Sequence, residues 1–231
     1  MGSAMRFDNL DDRIFYQELL LERELDSLPS HPLPEGYRFV FYRPGDRDSW
    51  IAIEQSAKEF DCYDKGIAAW QRYYGGHQEE LPRRMLFIEE ESTGEKVATA
   101  TAYYDVIHGD PSGSAWLHWV AVRRDRQGRG LSKPLVARAL AVMKELGYTH
   151  AKIPTQTTSW VAVKVYLDLG FRPIPQNAER ARRGWGIVRA LTGHPALAEF
   201  PPAGLDEILA RQQEAAAGPA AEGIDKNKGG T

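Results

Sequence analysis

Residues 115–146 constrain the fold of this chain more than any other part of the sequence. An apolar run ending at Val122, a turn rich in arginine and glycine, and apolar residues at helical spacing up to Leu146 predict a strand, a tight turn and a helix. The backbone N–H groups of such a turn and of the first helical residues point at one small volume, which favours an anion. Arg124, Arg126, Arg129 and Lys133 add positive charge beside this volume. The stretch therefore predicts a binding site for a pyrophosphate.

The sequence of this turn excludes two common nucleotide-binding motifs and resembles a third motif. A dinucleotide fingerprint, G-x-G-x-x-G, would need a glycine at Lys133, and the Walker sequence G-x-x-x-x-G-K-[ST] occurs nowhere in the chain. The hexapeptide Q-G-R-G-L-S, residues 127–132, resembles the Q/R-x-x-G-x-G/A signature of the GCN5-related N-acetyltransferases, the GNAT family. Gln127 and Gly130 match that signature, whereas Ser132 stands where the family prefers glycine or alanine. The resemblance implies that this turn grips the pyrophosphate of acetyl-CoA.

A second segment, residues 159–171, resembles the later N-x-x-A-x-x-L-Y-x-x-x-G-F block of the same family. Ser159 replaces the usual asparagine, whose side chain contacts the cofactor arm in the family. The resemblance extends over residues 37–175 and is strongest from Leu117 onward. Four residues of the block stand in register: Ala162, Tyr166, Gly170 and Phe171.

The periodicity of the chain predicts, in order, a strand, two helices, three strands, and then helix, strand, helix, strand. This order is the layout of the GNAT family. It implies an α/β (α+β) fold of the acyl-CoA N-acyltransferase architecture, with a mixed, partly antiparallel sheet flanked by helices. The predicted elements are 37–42, 49–60, 65–74, 85–90, 96–105, 115–122, 131–146, 151–155, 159–169 and a strand that begins at Gly170.

The N-terminal part differs from the centre of the chain. Residues 9–28 carry an apolar stripe at helical spacing and predict a helix, packed on its own domain or at a subunit contact of a homodimer. Residues 1–4 resemble a tag remnant, and three prolines between residues 29 and 34 mark a linker. The sequence therefore divides into residues 1–34 (remnant, helix and linker), a GNAT domain at 35–200, and a tail at 201–231.

The C-terminal part gives two further predictions. Asn177 is a suitable helix cap and Gly193 a suitable helix end, so residues 177–191 favour a helix, although the family often places a strand there. From Pro201 onward proline, alanine, glycine, glutamine and glutamate dominate. That composition predicts disorder, apart from a short helix at 205–215.

Composition excludes several classes of function. The net charge of −3 over 231 residues is not that of a nucleic-acid-binding chain, and no apolar run is long enough for a membrane span or a signal peptide. The single cysteine, Cys62, cannot form an internal disulfide, which fits a reducing cytoplasm. The six histidines do not show the spacing of zinc ligands. We therefore expect a cytoplasmic protein with no metal and no nucleic-acid or membrane partner.

The resemblance implies that an amine acceptor attacks acetyl-CoA directly, without an acyl-enzyme. Tyr166 occupies the tyrosine position of the second block and is the candidate general acid, which would give a proton to the departing thiolate. The structural alternative is a buried aromatic on an apolar helix face, because Val163 and Leu167 are also apolar.

His118 is the candidate general base. Family members often carry a glutamate at this position, and a histidine has a suitable intrinsic pKa near neutrality. Strand alternation predicts that His118, Val120 and Val122 share one face of the sheet. The alternative is a histidine whose hydrogen bonds are satisfied within the strand. Weaker rivals for the base are Glu89, Glu90, Glu91 and His108.

The resemblance also implies how acetyl-CoA is held. In the family two strands splay apart and leave a backbone N–H, here near Val120, to polarise the thioester carbonyl. The main chain of Val120 and Val122 would hold the pantetheine arm, and residues 155–158 would line the other side of the splay. The residues implied in cofactor binding are Val120, Val122, Gln127, Gly128, Arg129, Gly130, Leu131, Ser132, Lys133, Ser159 and Tyr166.

The acceptor is predicted to be a small-molecule or peptide amine, in a pocket walled by the first two helices and the chain after Phe171. Asp61 and Asp64 are candidates to hold its ammonium group. A non-catalytic acyl-CoA-binding module remains an alternative, as does an acyltransferase with a different acyl donor or a hydroxyl acceptor. Five aromatic residues cluster in the two helices and are core or pocket wall: Phe60, Tyr63, Trp70, Tyr73 and Tyr74.

Overall fold

A computed structural model describes residues 11–104, 113–174 and 178–209. Within these residues the strands are β1 Glu18–Glu24, β2 Tyr37–Phe41, β3 Met85–Glu90, β4 Lys96–Tyr103, β5 Ala115–Val122, β6 His150–Gln156 and β7 Arg172–Pro173. The α-helices are α1 Arg47–Ser56, α2 Tyr63–Tyr74, α3 Leu81–Arg84, α4 Ser132–Glu145, α5 Trp160–Asp168, α6 Ala178–Thr192 and α7 Leu205–Leu209.

The described strands form one seven-stranded sheet in the order β2-β3-β4-β5-β6-β1-β7. Every neighbouring pair is antiparallel except β5 and β6, which are parallel. One apolar core lies between the sheet and helices α4, α5 and α6, and a second core lies under α1 and α2 on the other face. The predicted fold class, a mixed and partly antiparallel sheet flanked by helices, is confirmed.

The N-terminal segment corrects the sequence prediction. Residues 9–28 were expected to form a helix, but the described part contains strand β1, which pairs with β6 over seven residues. Leu19 and Leu21 belong to one core and Leu20 to the other. A strand inside a sheet buries both faces, so its sequence is a continuous apolar run that cannot be told from a helix by periodicity. Pairing with a strand more than a hundred residues away decided the outcome.

Most other elements are confirmed, with shifted ends. The strand at 115–122 has the predicted bounds, and the helix favoured at 177–191 exists as α6. The first predicted helix ends at Ser56 rather than at residue 60. Of the predicted helix at 205–215, residues 205–209 are helical. The remainder of that helix and of the tail, the segment with His108, and the tag remnant lie outside the described residues.

Strand β5 contains a bulge. Its pairing with β4 shifts register between Thr101↔His118 and Thr99↔Ala121, so two residues of β5 stand opposite one residue of β4. Trp119 lies in this bulge with φ +52°, a left-handed conformation that is rare for a bulky residue. Holding such a residue there costs roughly 1–3 kcal/mol, which the packing around it must offset.

The bulge changes which side chains share a face. The His118 ring contacts the rings of Tyr73 and Tyr103, on the side of α1 and α2. Val120 and Val122 instead pack in the core under α4. The prediction that His118 shares a face with the two valines is therefore wrong, because simple alternation ends at a bulge.

Strands β5 and β6 pair over two residue pairs only, Ala115↔Ala151 and Trp116↔Lys152. Beyond these pairs the strands separate, and the residues of both strands that follow line one cavity. This separation forms the candidate active site. No helix among the described residues combines the length and apolarity needed to cross a membrane.

Candidate active site

The cavity between the separating strands has a volume of about 550 Å³. It runs from the start of α4 past β5 and β6 to β1 and to the C-terminal end of α1. Two residues of the predicted lining segment 155–158, Thr155 and Gln156, line it. So do seven of the predicted catalytic and cofactor-binding residues: His118, Val120, Val122, Gln127, Ser132, Ser159 and Tyr166. Gly128, Arg129, Gly130, Leu131 and Lys133 do not line this cavity and belong to the turn and the helix start at its edge.

The turn before α4 has the geometry of an anion cradle. Gly128 and Gly130 both have positive φ, +75° and +78°, a conformation that glycine adopts without penalty. Helix α4 then starts at Ser132 with no side-chain cap. The N-cap residue, Leu131, thus supplies no side-chain acceptor to the first N–H groups, and with the helix dipole these groups favour a phosphate.

The basic side chains of the turn differ in their surroundings. Arg126 is paired with Glu90 at 3.0 Å, and Lys133 is paired with Asp168 at 3.0 Å. Arg129 is half exposed and donates a hydrogen bond to the Tyr37 hydroxyl. These pairings hold the positive charges at the surface beside the turn.

Two polar side chains connect the turn and α5 to the cavity walls. Nε2 of Gln127 donates to the carbonyl oxygen of Val122 at 3.1 Å, which fixes the turn against the end of β5. Oγ of Ser159 accepts a hydrogen bond from Nε2 of Gln156 at 2.8 Å. The Ser159 hydroxyl therefore keeps its own proton available for donation to another acceptor.

Tyr166 lies on α5, is 5% exposed and lines the cavity. Its ring packs edge-on against Phe171 with centroids 6.1 Å apart. Burial, and then the nearby carboxylates of Glu59 and Glu54, raise the pKa of the Tyr166 hydroxyl well above its ordinary value. The phenol is thus protonated at neutral pH, and the residue serves both the core and the cavity.

His118 is 7% exposed and lines the same cavity. Its ring lies among aromatic rings, with centroid distances of 4.9 Å to Tyr103, 5.7 Å to Tyr73 and 6.2 Å to Trp116. The structure therefore brings the two predicted catalytic side chains, one from β5 and one from α5, to a single cavity.

Sequence reasoning missed three glutamates of this cavity: Glu18 at the start of β1, Glu54 on α1 and Glu59 after α1. Glu54 is 1% exposed, and burial followed by the charge of Glu59 raises the pKa of its carboxyl well above the usual value. Glu59 is exposed where it lines the cavity, and desolvation by the surrounding protein raises its pKa. One signal was available: Glu54 lies three and four residues after the core residues Ile51 and Trp50, on the buried face of an amphipathic helix.

The rival glutamates of the β3 strand lie elsewhere. Glu89 is paired with Arg38 at 2.5 Å and Glu90 with Arg126, and neither lines the cavity. Glu91 is an exposed residue at the β3–β4 turn. Ion pairing and position therefore separate these carboxylates from the predicted reaction site.

The predicted acceptor wall is confirmed only in part. Of the five aromatic residues predicted there, Tyr73 lines the cavity, Trp70 and Tyr74 are core residues, Phe60 packs against the core and Tyr63 is exposed. Asp61 is bonded to Lys65 at 2.6 Å, and neither Asp61 nor Asp64 lines the cavity. The wall that was assigned to the chain after Phe171 is supplied by residues at β1, including Tyr16 and Glu18.

The family model described as "Acetyltransferase (GNAT) family" matches residues 48–171. Mycothiol acetyltransferase of Acidothermus cellulolyticus is 28% identical over 178 residues, which cover 67% of this chain and 50% of that protein. The enzyme of the same name from Thermobispora bispora is 26% identical over 150 residues, 62% of this chain and 49% of that protein. The chain thus spans about half the length of these curated relatives.

Two solved structures show the same fold. A GCN5-related N-acetyltransferase from Sphaerobacter thermophilus superposes with a TM-score of 0.57 at 20% identity, covering 70% of this chain and 49% of that one. A glucosamine N-acetyltransferase region of a fungal multi-domain enzyme superposes with a TM-score of 0.51 at 15% identity, covering 71% of this chain and 20% of that one.

No cluster of three histidine, cysteine, aspartate or glutamate side chains suited to a metal ion occurs in the described part of the chain.

Proposed function

This chain belongs to the acetyltransferase (GNAT) family, and we propose that it moves the acetyl group of acetyl-CoA directly to the amine of an acceptor in a ternary complex. One observation carries the proposal: a single cavity extends from Gln127 and Ser132, at the two ends of the glycine turn, to the buried side chains of Tyr166 and His118. Such a cavity suits a long substrate with an anionic end and a reactive end.

The anionic end of acetyl-CoA fits the turn. Backbone N–H groups from Gln127 to Ser132 would hold the diphosphate, and the left-handed glycines leave room for its close approach. Arg129 and Lys133 lie beside this position and would add charge. Gln127 contributes by holding the turn against β5.

The reactive end fits the gap between β5 and β6. Main-chain groups of Val120 and Val122 would hold the pantetheine arm as a neighbouring strand would, because β6 no longer occupies that edge. The bulge leaves a backbone residue of β5 outside the ladder near Val120. A backbone N–H there would polarise the thioester carbonyl as negative charge develops on its oxygen.

Proton transfer would use the two buried side chains. His118 would take a proton from the acceptor ammonium, and the free amine would then attack the carbonyl carbon as the C–S bond breaks. Tyr166 would give its proton to the departing sulfur and regain one from the new amide nitrogen. The exposed thiol of Cys62 does not line the cavity, in agreement with direct transfer.

The identity of the acceptor amine is proposed separately from the reaction type. The curated relatives are named for mycothiol, so a mycothiol-type amine belongs in the first acceptor panel. Because the chain matches only about half of those proteins, the relatives' acceptor is a hypothesis for this chain.

Two measurements test the proposal. Thermal unfolding with CoA, acetyl-CoA and NAD should show stabilisation by the first two ligands only. Thiol release from acetyl-CoA against a panel of amines should then show turnover. Stabilisation without turnover for every amine would favour a non-catalytic acyl-CoA-binding module, and no stabilisation by CoA would refute both readings.

A further inference from the structure

We propose that Glu54 and Glu59 hold the ammonium group of the acceptor, so that the substrate class is protonated primary amines without a carboxylate beside the nitrogen. This inference deepens the proposed acetyl transfer and rests on it. It concerns the acceptor end of the cavity, defined by Tyr16, Glu18, Glu54, Glu59 and Tyr73.

Glu54 provides the main observation. Its side chain is almost wholly buried and lines the cavity. Its Oε1 atom has no hydrogen-bond partner among the described residues. A buried carboxylate oxygen without a hydrogen-bond partner is unfavourable for the fold. A cationic ligand in the cavity would supply the missing charge-assisted hydrogen bond.

The charged side chains that line the cavity near Glu54 are all acidic. Glu18 and Glu59 line the same cavity, and no described lysine or arginine lines it. Burial and then Glu18 and Glu59 together raise the pKa of the Tyr16 hydroxyl, so these carboxylates act on one region. A ligand with positive charge would relieve their mutual repulsion.

The remaining walls of the acceptor end also suit a cation. The side chains of Tyr16, Tyr73 and Trp119 line the cavity, and aromatic faces attract ammonium groups. A ligand that carried a carboxylate next to its amine would meet three glutamates of like charge. Amino acids with a free carboxylate are therefore selected against.

The position of Glu54 and Glu59 fits the proposed acetyl transfer. Both Glu54 and Glu59 lie close enough to Tyr166 to raise the pKa of its hydroxyl. An ammonium group held between them would thus lie beside the proposed acid. The nitrogen would be kept near the carbonyl that it attacks.

The test compares ligands that differ only in a carboxylate. Tyramine is paired with tyrosine, and isoamylamine with leucine, and the binding of each to the CoA-loaded protein is measured by calorimetry. We expect each amine to bind at least roughly tenfold more tightly than its amino acid. The variants Glu54→Gln and Glu59→Gln should each weaken tyramine binding by a similar factor and leave CoA affinity unchanged.

Glu89→Gln is the matched control, because Glu89 is a buried glutamate that lies outside the cavity and is paired with Arg38. It should keep the preference for tyramine. Equal binding of amine and amino acid, unchanged tyramine affinity in both cavity variants, or no binding of either amine would overturn the inference. Failure of CoA to bind would instead refute the proposed acetyl transfer. In that case the comparison of tyramine with tyrosine on the CoA-free protein still tests the glutamates.

Discussion

The two ends of the cavity are built in opposite ways. The proposed diphosphate end comes from one continuous segment, the turn at 127–132 and the first residues of α4. The acceptor end is assembled from separate segments: the start of β1 with the residues before it, the end of α1 with the residues after it, and α2. One end depends on backbone N–H groups that any sequence with the right turn presents, whereas the other depends on side chains that only the tertiary fold brings together.

The ends also differ in how their charges are balanced. At the diphosphate end the basic side chains have acidic partners, as in Arg126–Glu90 and Lys133–Asp168. At the acceptor end Glu54 is buried, and its Oε1 atom has no hydrogen-bond partner among the described residues. At the diphosphate end an anion would therefore be favoured mainly by backbone N–H groups and the helix dipole, whereas at the acceptor end a cation would be favoured by carboxylate side chains.

The largest effect on activity is expected from Tyr166, which lies between the two ends of the cavity. Tyr166→Phe removes the proton proposed for the departing sulfur and should lower kcat by about 10³, within the usual range for general acids. Acetyl-CoA affinity should be retained, and steady-state kinetics together with calorimetry would measure both. Tyr74→Phe is the control, since its hydroxyl is bonded to Thr101 at 2.9 Å and lies outside the cavity. Full turnover of Tyr166→Phe would remove the acid role.

The next effect concerns the base. His118→Ala should lower kcat/KM by about 10² and change the acid limb of the pH–rate profile. His150→Ala, which removes an exposed histidine on β6 away from the cavity, should leave the profile unaltered. If the acid limb is the same in His118→Ala as in the parent protein, proton acceptance lies with another group, and Glu54 is the next to examine.

The diphosphate end is tested by a backbone change. Gly130→Val places a β-branched residue at φ +78° and should weaken acetyl-CoA binding roughly 30-fold, equivalent to about 2 kcal/mol. Gly94→Val imposes similar strain at φ +71° in the β3–β4 turn and should lower stability without changing the Kd. Similar Kd values for the two variants would show that the turn before α4 does not bind the diphosphate.

The smallest effect is on stability at the acceptor end. Because burial raises the pKa of Glu54, the protonated carboxyl favours the fold at low pH, and this stability is lost as the pH rises from the ordinary glutamate pKa through the raised one. Glu59, Tyr74 and Tyr166 are the titratable neighbours of this carboxyl. Glu54→Gln should therefore match the parent at acidic pH and exceed it by about 1 kcal/mol at neutral pH. Denaturant unfolding across pH measures the difference, and a less stable variant at neutral pH would show a structural role instead.

Parts of the fold were predictable because their signals are local. The strand β5, the glycine turn and the helix α4 follow from an apolar run, glycine spacing and helical periodicity within one stretch of chain. The same local signals were misleading where pairing with a strand far away in the sequence determines the secondary structure. The leucines at 19–21 satisfy a helix or a buried strand equally, and only pairing with β6 makes them a strand.

By itself, the sequence determined the family, the fold class and the turn proposed for the diphosphate, because backbone conformation and N–H geometry are properties of a short segment. The tertiary structure alone decided the bulge that turns His118 away from Val120, and the cavity that gathers Glu54, Glu59 and Tyr166. A register shift depends on the neighbouring strand, and the charge of a site depends on residues that meet only after the chain has folded.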